Sequence, residues 1–139
     1  MVQSTGPKKI NCSVFISGNG SNLKSLIKFS NKKNSPISIK LIISDNLNAK
    51  GLRYGKIFKI SNKVFNYKNK LIAEKKIISE IINKKIQLIC LAGFMKILSK
   101  SFIKKFKGKI LNIHPSLLPK YKGLNTHQRA ISNGEKYSG

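Results

Sequence analysis

Short apolar runs alternate with amphipathic stretches along the chain, the rhythm of βαβ units built around a parallel sheet. Residues 10–17 make the first predicted strand, which runs into Ser17-Gly18-Asn19-Gly20-Ser21-Asn22. A helix starts near Ser21 or Asn22, either of which suits an N-cap, and carries Leu23, Leu26 and Ile27. Polar residues 31–36 separate it from a second strand at 37–44 (I-S-I-K-L-I-I-S). Residues 50–58 read as a short helix and 63–67 as a weak strand. The clearest helix spans 70–85, where Ala73, Ile77 and Ile81 form a stripe that Ile78 and Ile82 widen. Residues 86–92 (I-Q-L-I-C-L-A) are almost continuously apolar, as a strand buried on both faces must be. Gly93 ends it, 99–106 form another short helix, and a fifth strand comes next at 109–114. Pro115, Pro119 and Gly123 mark a long loop, and residues 126–132 have helical character before Asn133-Gly134.

The 139 residues show no internal repeat and no interior linker, so a single α/β domain over 1–139 is expected, with residues 1–9 disordered ahead of it. No apolar run approaches the roughly 18 to 20 residues that span a bilayer. Asn11 and Ser13 interrupt the apolar stretch after Lys8 and Lys9, which argues against a signal peptide and for a soluble, cytoplasmic chain. Cys12 and Cys90 lie inside apolar stretches and read as buried free thiols. His114 and His127 are the only histidines, and no cluster has metal-ligand spacing, so no metal is expected.

A net charge of +24, from 28 Lys and Arg against 4 Asp and Glu, suggests nucleic-acid binding at first sight. The basic residues are 26 Lys and only Arg53 and Arg129, whereas phosphate and base recognition favours the planar fork of Arg. Lys, Ile and Asn together supply 61 residues and share A/T-rich codons, and the Lys are spread along the whole chain. Solvated surface Lys explains the charge better than a nucleic-acid partner.

Ligands of parallel α/β sheets bind at the carboxyl ends of the strands, and three segments meet that condition. Gly20-Ser21-Asn22 opens a helix whose free N–H groups suit a phosphate, although plain turn chemistry explains these residues equally well. Ala92-Gly93-Phe94-Met95-Lys96-Ile97-Leu98 leaves the central strand with apolar side chains in a loop. They form either the wall of a pocket for a flat ring or part of the core. Asn112 and His114 project from one face of the fifth strand while Leu111 and Ile113 point the other way. A His can act as general acid and a neighbouring Asn can donate to a developing oxyanion, a pairing that packing does not explain. Ser116 has no nucleophile elbow and Cys90 has no partner, which favours direct transfer or hydrolysis through a tetrahedral species.

These segments, with Leu111-Asn112-Ile113-His114-Pro115-Ser116-Leu117-Leu118-Pro119-Lys120-Tyr121, Thr126-His127 and Asn133-Gly134, resemble the phosphoribosylglycinamide formyltransferase family in order and spacing from about Ile10 to Gly139. The resemblance implies a Rossmann-like formyltransferase fold, mainly parallel with helices on both faces. It also implies formyl transfer from 10-formyltetrahydrofolate, as co-substrate, to the amine of 5'-phosphoribosylglycinamide in purine synthesis. Carried over by position, Gly20, Ser21 and Asn22 would bind the ribotide phosphate. Met95, Lys96, Ile97, Leu98 and Lys70 would serve the folate, Asn112 would hold the formyl oxygen, and His114 would act as proton donor.

The family's third catalytic residue is an Asp in a segment following the equivalent of Tyr137-Ser138-Gly139. The four acids Asp45, Glu74, Glu80 and Glu135 match no such motif, and Asp45 is expected to serve a turn. The resemblance therefore implies about two-thirds of an enzyme, with its C-terminal part missing, and full activity is not expected of these 139 residues. Two small-molecule substrates are the expected partners of a monomer or homodimer. The rival families are methionyl-tRNA formyltransferase and formyltetrahydrofolate deformylase, and the non-enzyme alternative is a basic nucleic-acid-binding module.

Overall fold

The computed structural model describes residues 8–112 and residue 133. In them five strands pair in the order β3-β2-β1-β4-β5: β1 (Ile10–Ile16), β2 (Ile37–Ser44), β3 (Ser61–Val64), β4 (Leu88–Leu91) and β5 (Lys109–Asn112). Every pairing is parallel. The crossovers are α1 (Ser21–Ser30), a 3-10 turn (Lys50–Leu52) leading into α2 (Arg53–Ile57), α3 (Lys70–Asn83) and α4 (Lys100–Lys105).

Strand β1 lies at the centre, and its alternating side chains divide the core. Cys12, Val14 and Ile16 pack with Leu23 and Ile27 of α1 and with Tyr54 of α2. Phe15 faces the other way, among Ile77 and Ile81 of α3 and Phe102 of α4. Helices thus cover both faces, as the α/β pattern predicts. The two thiols, Cys12 and Cys90, are free and buried with their sulfurs 3.7 Å apart. Hydrogen bonding between them and burial push the Cys12 thiol above its ordinary range.

Strand β2 contains a bulge that periodicity does not reveal. Cys12 pairs with Ile39 but Ser13 with Leu41, so Lys40 has no partner in the register. Unbroken alternation from Ile39 would turn Lys40 inward and exchange the faces of Leu41, Ile42 and Ile43. The extra residue leaves Lys40 exposed and puts Leu41 and Ile43 with Phe15, and Ile42 with Val14. Beside the bulge, the buried Ser13 hydroxyl donates to the Leu41 carbonyl at 3.0 Å.

Several boundaries differ from the sequence expectation for local reasons. Helix α1 is capped by Gly20 in the left-handed region at φ 76°, not by Ser21 or Asn22, which are its first two residues. Strand β3 starts at Ser61, two residues before the expected 63–67, and ends at Val64. There Asn66 Oδ1 accepts from the Lys68 N–H and turns the chain towards Asn69, which caps α3. Strand β4 is shorter than 86–92 because the Ile86 N–H is held by Ile81 O at the end of α3. Ser99 and Phe106 are the caps of α4 rather than its members. Of residues 1–9, Lys9 Nζ donates to Ser30 O at 3.0 Å. Residues 1–7, His114, the loop 115–123 and the helical stretch 126–132 lie outside the described residues.

Among the described residues no helix is long and apolar enough to cross a membrane, and no group of three His, Cys, Asp or Glu is placed to hold a metal. One ion pair, Lys63 with Glu80 at 3.9 Å, stands among the described residues against a net charge of +24. Mutual repulsion of the remaining lysines opposes the compact state, and salt screens it over a Debye length of about 8 Å at 0.15 M. The thermal midpoint is therefore expected to rise between about 0.01 and 0.15 M NaCl, as followed by circular dichroism.

Candidate active site

Because all five strands run the same way, their carboxyl ends share one edge of the sheet. Phe15 is level with Leu91, and Leu91 with Asn112, so the ends of β1, β4 and β5 stand side by side. The chain leaves β1 for β2 on one side and β4 lies on the other, which makes this edge the switch point where such sheets bind ligands.

The turn after β1 is set by close packing of two glycines. A Cβ on Gly20 would lie 2.7 Å from the Cα of Gly51, and a Cβ on Gly51 would lie 2.6 Å from Ile16 Cδ1. The Gly51 N–H donates to Gly18 O at 2.9 Å and fastens the turn to the 3-10 segment. No side chain caps α1, and Ser21 and Asn22 are exposed, so the first helical N–H groups are placed for an anion. Two cations stand by. Lys24 Nζ lies 5.9 Å and the Arg53 guanidinium 5.0 Å from the centre of the Tyr54 ring. Sequence reasoning passes over Gly51 and Arg53, for which the one signal is a glycine inside a helical pattern.

The loop after β4 divides the two readings of its apolar residues. Phe94 turns inward and meets Phe15 and Tyr67 edge-on at 5.4 and 5.7 Å, and Leu98 is half-buried against the same core. Met95 and Ile97 are 60% and 82% exposed, and Lys96 is exposed with them. Side chains on both kinds of surface thus belong to one loop: two anchors and a solvent-facing wall.

Two carboxylates hold this loop. Ser17 Oγ accepts from the Met95 N–H at 2.9 Å and donates to Asp45 Oδ1 at 2.5 Å. Asp45, expected from sequence to serve a turn, instead binds the end of β1 through its carboxylate. At the other end, Glu74 Oε2 accepts from the Ser99 N–H at 3.0 Å and from its hydroxyl at 3.1 Å, while Ser99 Oγ accepts from Phe102 N. Beside Met95 an open groove of about 640 Å3 is lined by Ser17, Asp45, Asn46, Val64 and Asn66.

Asn112 is exposed at the end of β5, next to the start of the 93–98 loop. Its expected partner His114 lies outside the described residues. Lys70 opens α3 directly after the cap Asn69, and no hydrogen bond or ion pair joins it to the loop or to Asn112 among the described residues. The structure thus brings Gly20, Ser21, Asn22, Met95, Lys96, Ile97, Leu98 and Asn112 to one sheet edge.

Residues 10–139 match the formyl transferase family. The chain belongs to that family. It is 45% identical over 135 residues to the phosphoribosylglycinamide formyltransferase of Haemophilus influenzae, covering 95% of this chain and 63% of that protein. It is 42% identical over 135 residues to the human trifunctional purine biosynthetic protein adenosine-3, covering 13% of that longer chain. The crystal structure of phosphoribosylglycinamide formyltransferase from Brucella melitensis superposes with a TM-score of 0.89 at 41% identity, covering 95% of this chain and 70% of that one. The chain therefore spans less than two-thirds of either of these two sequence relatives.

Within this formyl transferase domain, Gly51→Ala is expected to cost about 1–3 kcal/mol in urea unfolding, since the added methyl meets both Ile16 and the Gly20 backbone. Tyr67 provides a second test. Its hydroxyl is buried without a partner among the described residues, and burial, then the Glu74 and Asp45 carboxylates, push it above the usual phenol range. A raised folded pKa gives stability that is present below the unfolded value near 10 and lost as pH rises above it. Wild type is expected to lose stability above about pH 10 more steeply than Tyr67→Phe. At neutral pH Tyr67→Phe is expected to be more stable by about 1 kcal/mol, on denaturant curves taken across pH, because it removes an unpaired buried hydroxyl.

Proposed function

We propose that this domain carries the substrate-binding half of a reaction that transfers a formyl group from 10-formyltetrahydrofolate to the amine of 5'-phosphoribosylglycinamide. The observation that carries the reading is the convergence of an uncapped helix start, an exposed apolar loop and Asn112 on one sheet edge, in a chain 45% identical to a phosphoribosylglycinamide formyltransferase. Two small anionic substrates fit a strongly basic surface without nucleic acid. A cytoplasmic location fits both.

In this reading the N–H groups at Gly20, Ser21 and Asn22 receive the ribotide phosphate, with Lys24 and Arg53 adding charge nearby. Met95, Lys96, Ile97 and Leu98 give the folate ring backbone groups and apolar surface, and Lys70 attracts its carboxylates. The substrate amine attacks the formyl carbon and forms the new C–N bond. The Asn112 amide donates to the oxygen as it becomes an oxyanion, and the bond to the folate nitrogen then breaks. His114 delivers the proton that the departing nitrogen needs, and the amine loses one in exchange. Each oxyanion donor contributes about 2.7–4 kcal/mol to lowering such a barrier.

The test is thermal stabilisation of the purified chain by each substrate, followed by turnover of the chain extended with the C-terminal third of the Haemophilus influenzae relative. Both ligands are expected to raise the midpoint, and the extended protein to transfer formyl groups. His114→Ala in the extended protein is expected to lower kcat by about 10²–10³. Absence of any shift with the ribotide and with the folate would overturn the reading.

A further inference from the structure

We infer that Asp45 is a positioning residue that acts through Ser17 to fix the Met95 N–H, and so sets the affinity of the 93–98 loop for the folate cosubstrate. The inference deepens the proposed function and rests on it for the identity of the ligand. Met95 is 60% exposed, so its own side chain adds little to the packing that Phe94 provides beside it. Its anchor is a hydrogen bond of 2.9 Å from its N–H to Ser17 Oγ.

A serine hydroxyl has one proton and can rotate. An ionised carboxylate only accepts, so Asp45 Oδ1, 2.5 Å away, takes that proton and turns the lone pairs of Ser17 towards Met95. Charge on the final acceptor strengthens both bonds in the chain. Asp45 stands at the end of β2 and Ser17 at the end of β1, so the relay ties the loop to two paired strands of the sheet. Glu74, through Ser99, fixes the far end of the loop on α3. Between these pins only residues 96–98 remain, and Phe94 holds the inner side by its contacts with Phe15 and Tyr67. Removing Asp45 frees the hydroxyl to point elsewhere while leaving the Glu74 pin and the core intact.

The experiment compares wild type, Asp45→Ala, Asp45→Asn and Ser17→Ala for tetrahydrofolate affinity, ribotide affinity and hydrogen exchange of the Met95 amide. Asp45→Ala is expected to weaken tetrahydrofolate binding about tenfold, with ribotide affinity within about twofold, and to speed Met95 exchange by a similar factor. Asp45→Asn keeps an accepting Oδ1 and is expected to restore most of both. Ser17→Ala is expected to match Asp45→Ala, and the double variant to be no worse than either alone, because the two act as one unit. An Asp45→Ala variant with unchanged exchange, or with both ligands weakened equally, would overturn the positioning role. Failure of wild type to bind tetrahydrofolate would remove the proposed function and overturn the affinity claim with it. In that case Met95 exchange would still show, separately, whether the relay orders the loop.

Discussion

Strand β1 is buried on both faces and paired on both edges, and the rest of the molecule is arranged by that fact. A strand so placed can offer nothing to a ligand along its length. Only its carboxyl end, Ser17 onward, reaches the surface, and parallel pairing brings the ends of β2, β4 and β5 to the same edge. The fold therefore delivers the turn after β1, the apolar loop and Asn112 to one place, and the Ser17–Met95 hydrogen bond joins the first two.

Carboxylates are scarce in this chain, four against 28 basic residues, and their use is correspondingly informative. Glu80 meets Lys63 near the surface, an arrangement worth little in water. Asp45 and Glu74 form no ion pair among the described residues. Glu74 accepts hydrogen bonds directly from Ser99, and Asp45 accepts from Ser17, whose hydroxyl in turn accepts from the Met95 N–H. Phe94 and Leu98 anchor the loop by packing, and its exposed Met95 and Ile97 add little to that hold. Through Ser17 and Ser99, the carboxylates of Asp45 and Glu74 tie both ends of the loop to the sheet and to α3.

The glycine contact between Gly20 and Gly51 complements this on the other side of β1. It brings two backbone segments closer than any side chain permits and leaves the start of α1 uncapped. Absence of a capping side chain is unfavourable for an isolated helix and favourable for one that receives an anion. The same local feature that weakens the free helix leaves its first N–H groups without a side-chain cap.

Much of this was legible from residue order alone. The strands at Ile10 and Ile37, the amphipathic stripe of Ala73, Ile77 and Ile81, and the apolar run before Gly93 follow from period and composition, which depend only on neighbours in the chain. So did the motifs that relate the chain to formyl transferases. The Lys40 bulge, the Gly20–Gly51 approach and the Asp45–Ser17–Met95 relay were not legible, because each joins residues that meet only when β1 lies beside β2 and β4. Sequence determined which segments are strands, helices and candidate loops, since those choices are set by local hydrophobic pattern. Tertiary structure alone decided that Asp45 serves a loop remote from it in sequence, because a hydrogen bond is fixed by distance in space and not by distance along the chain.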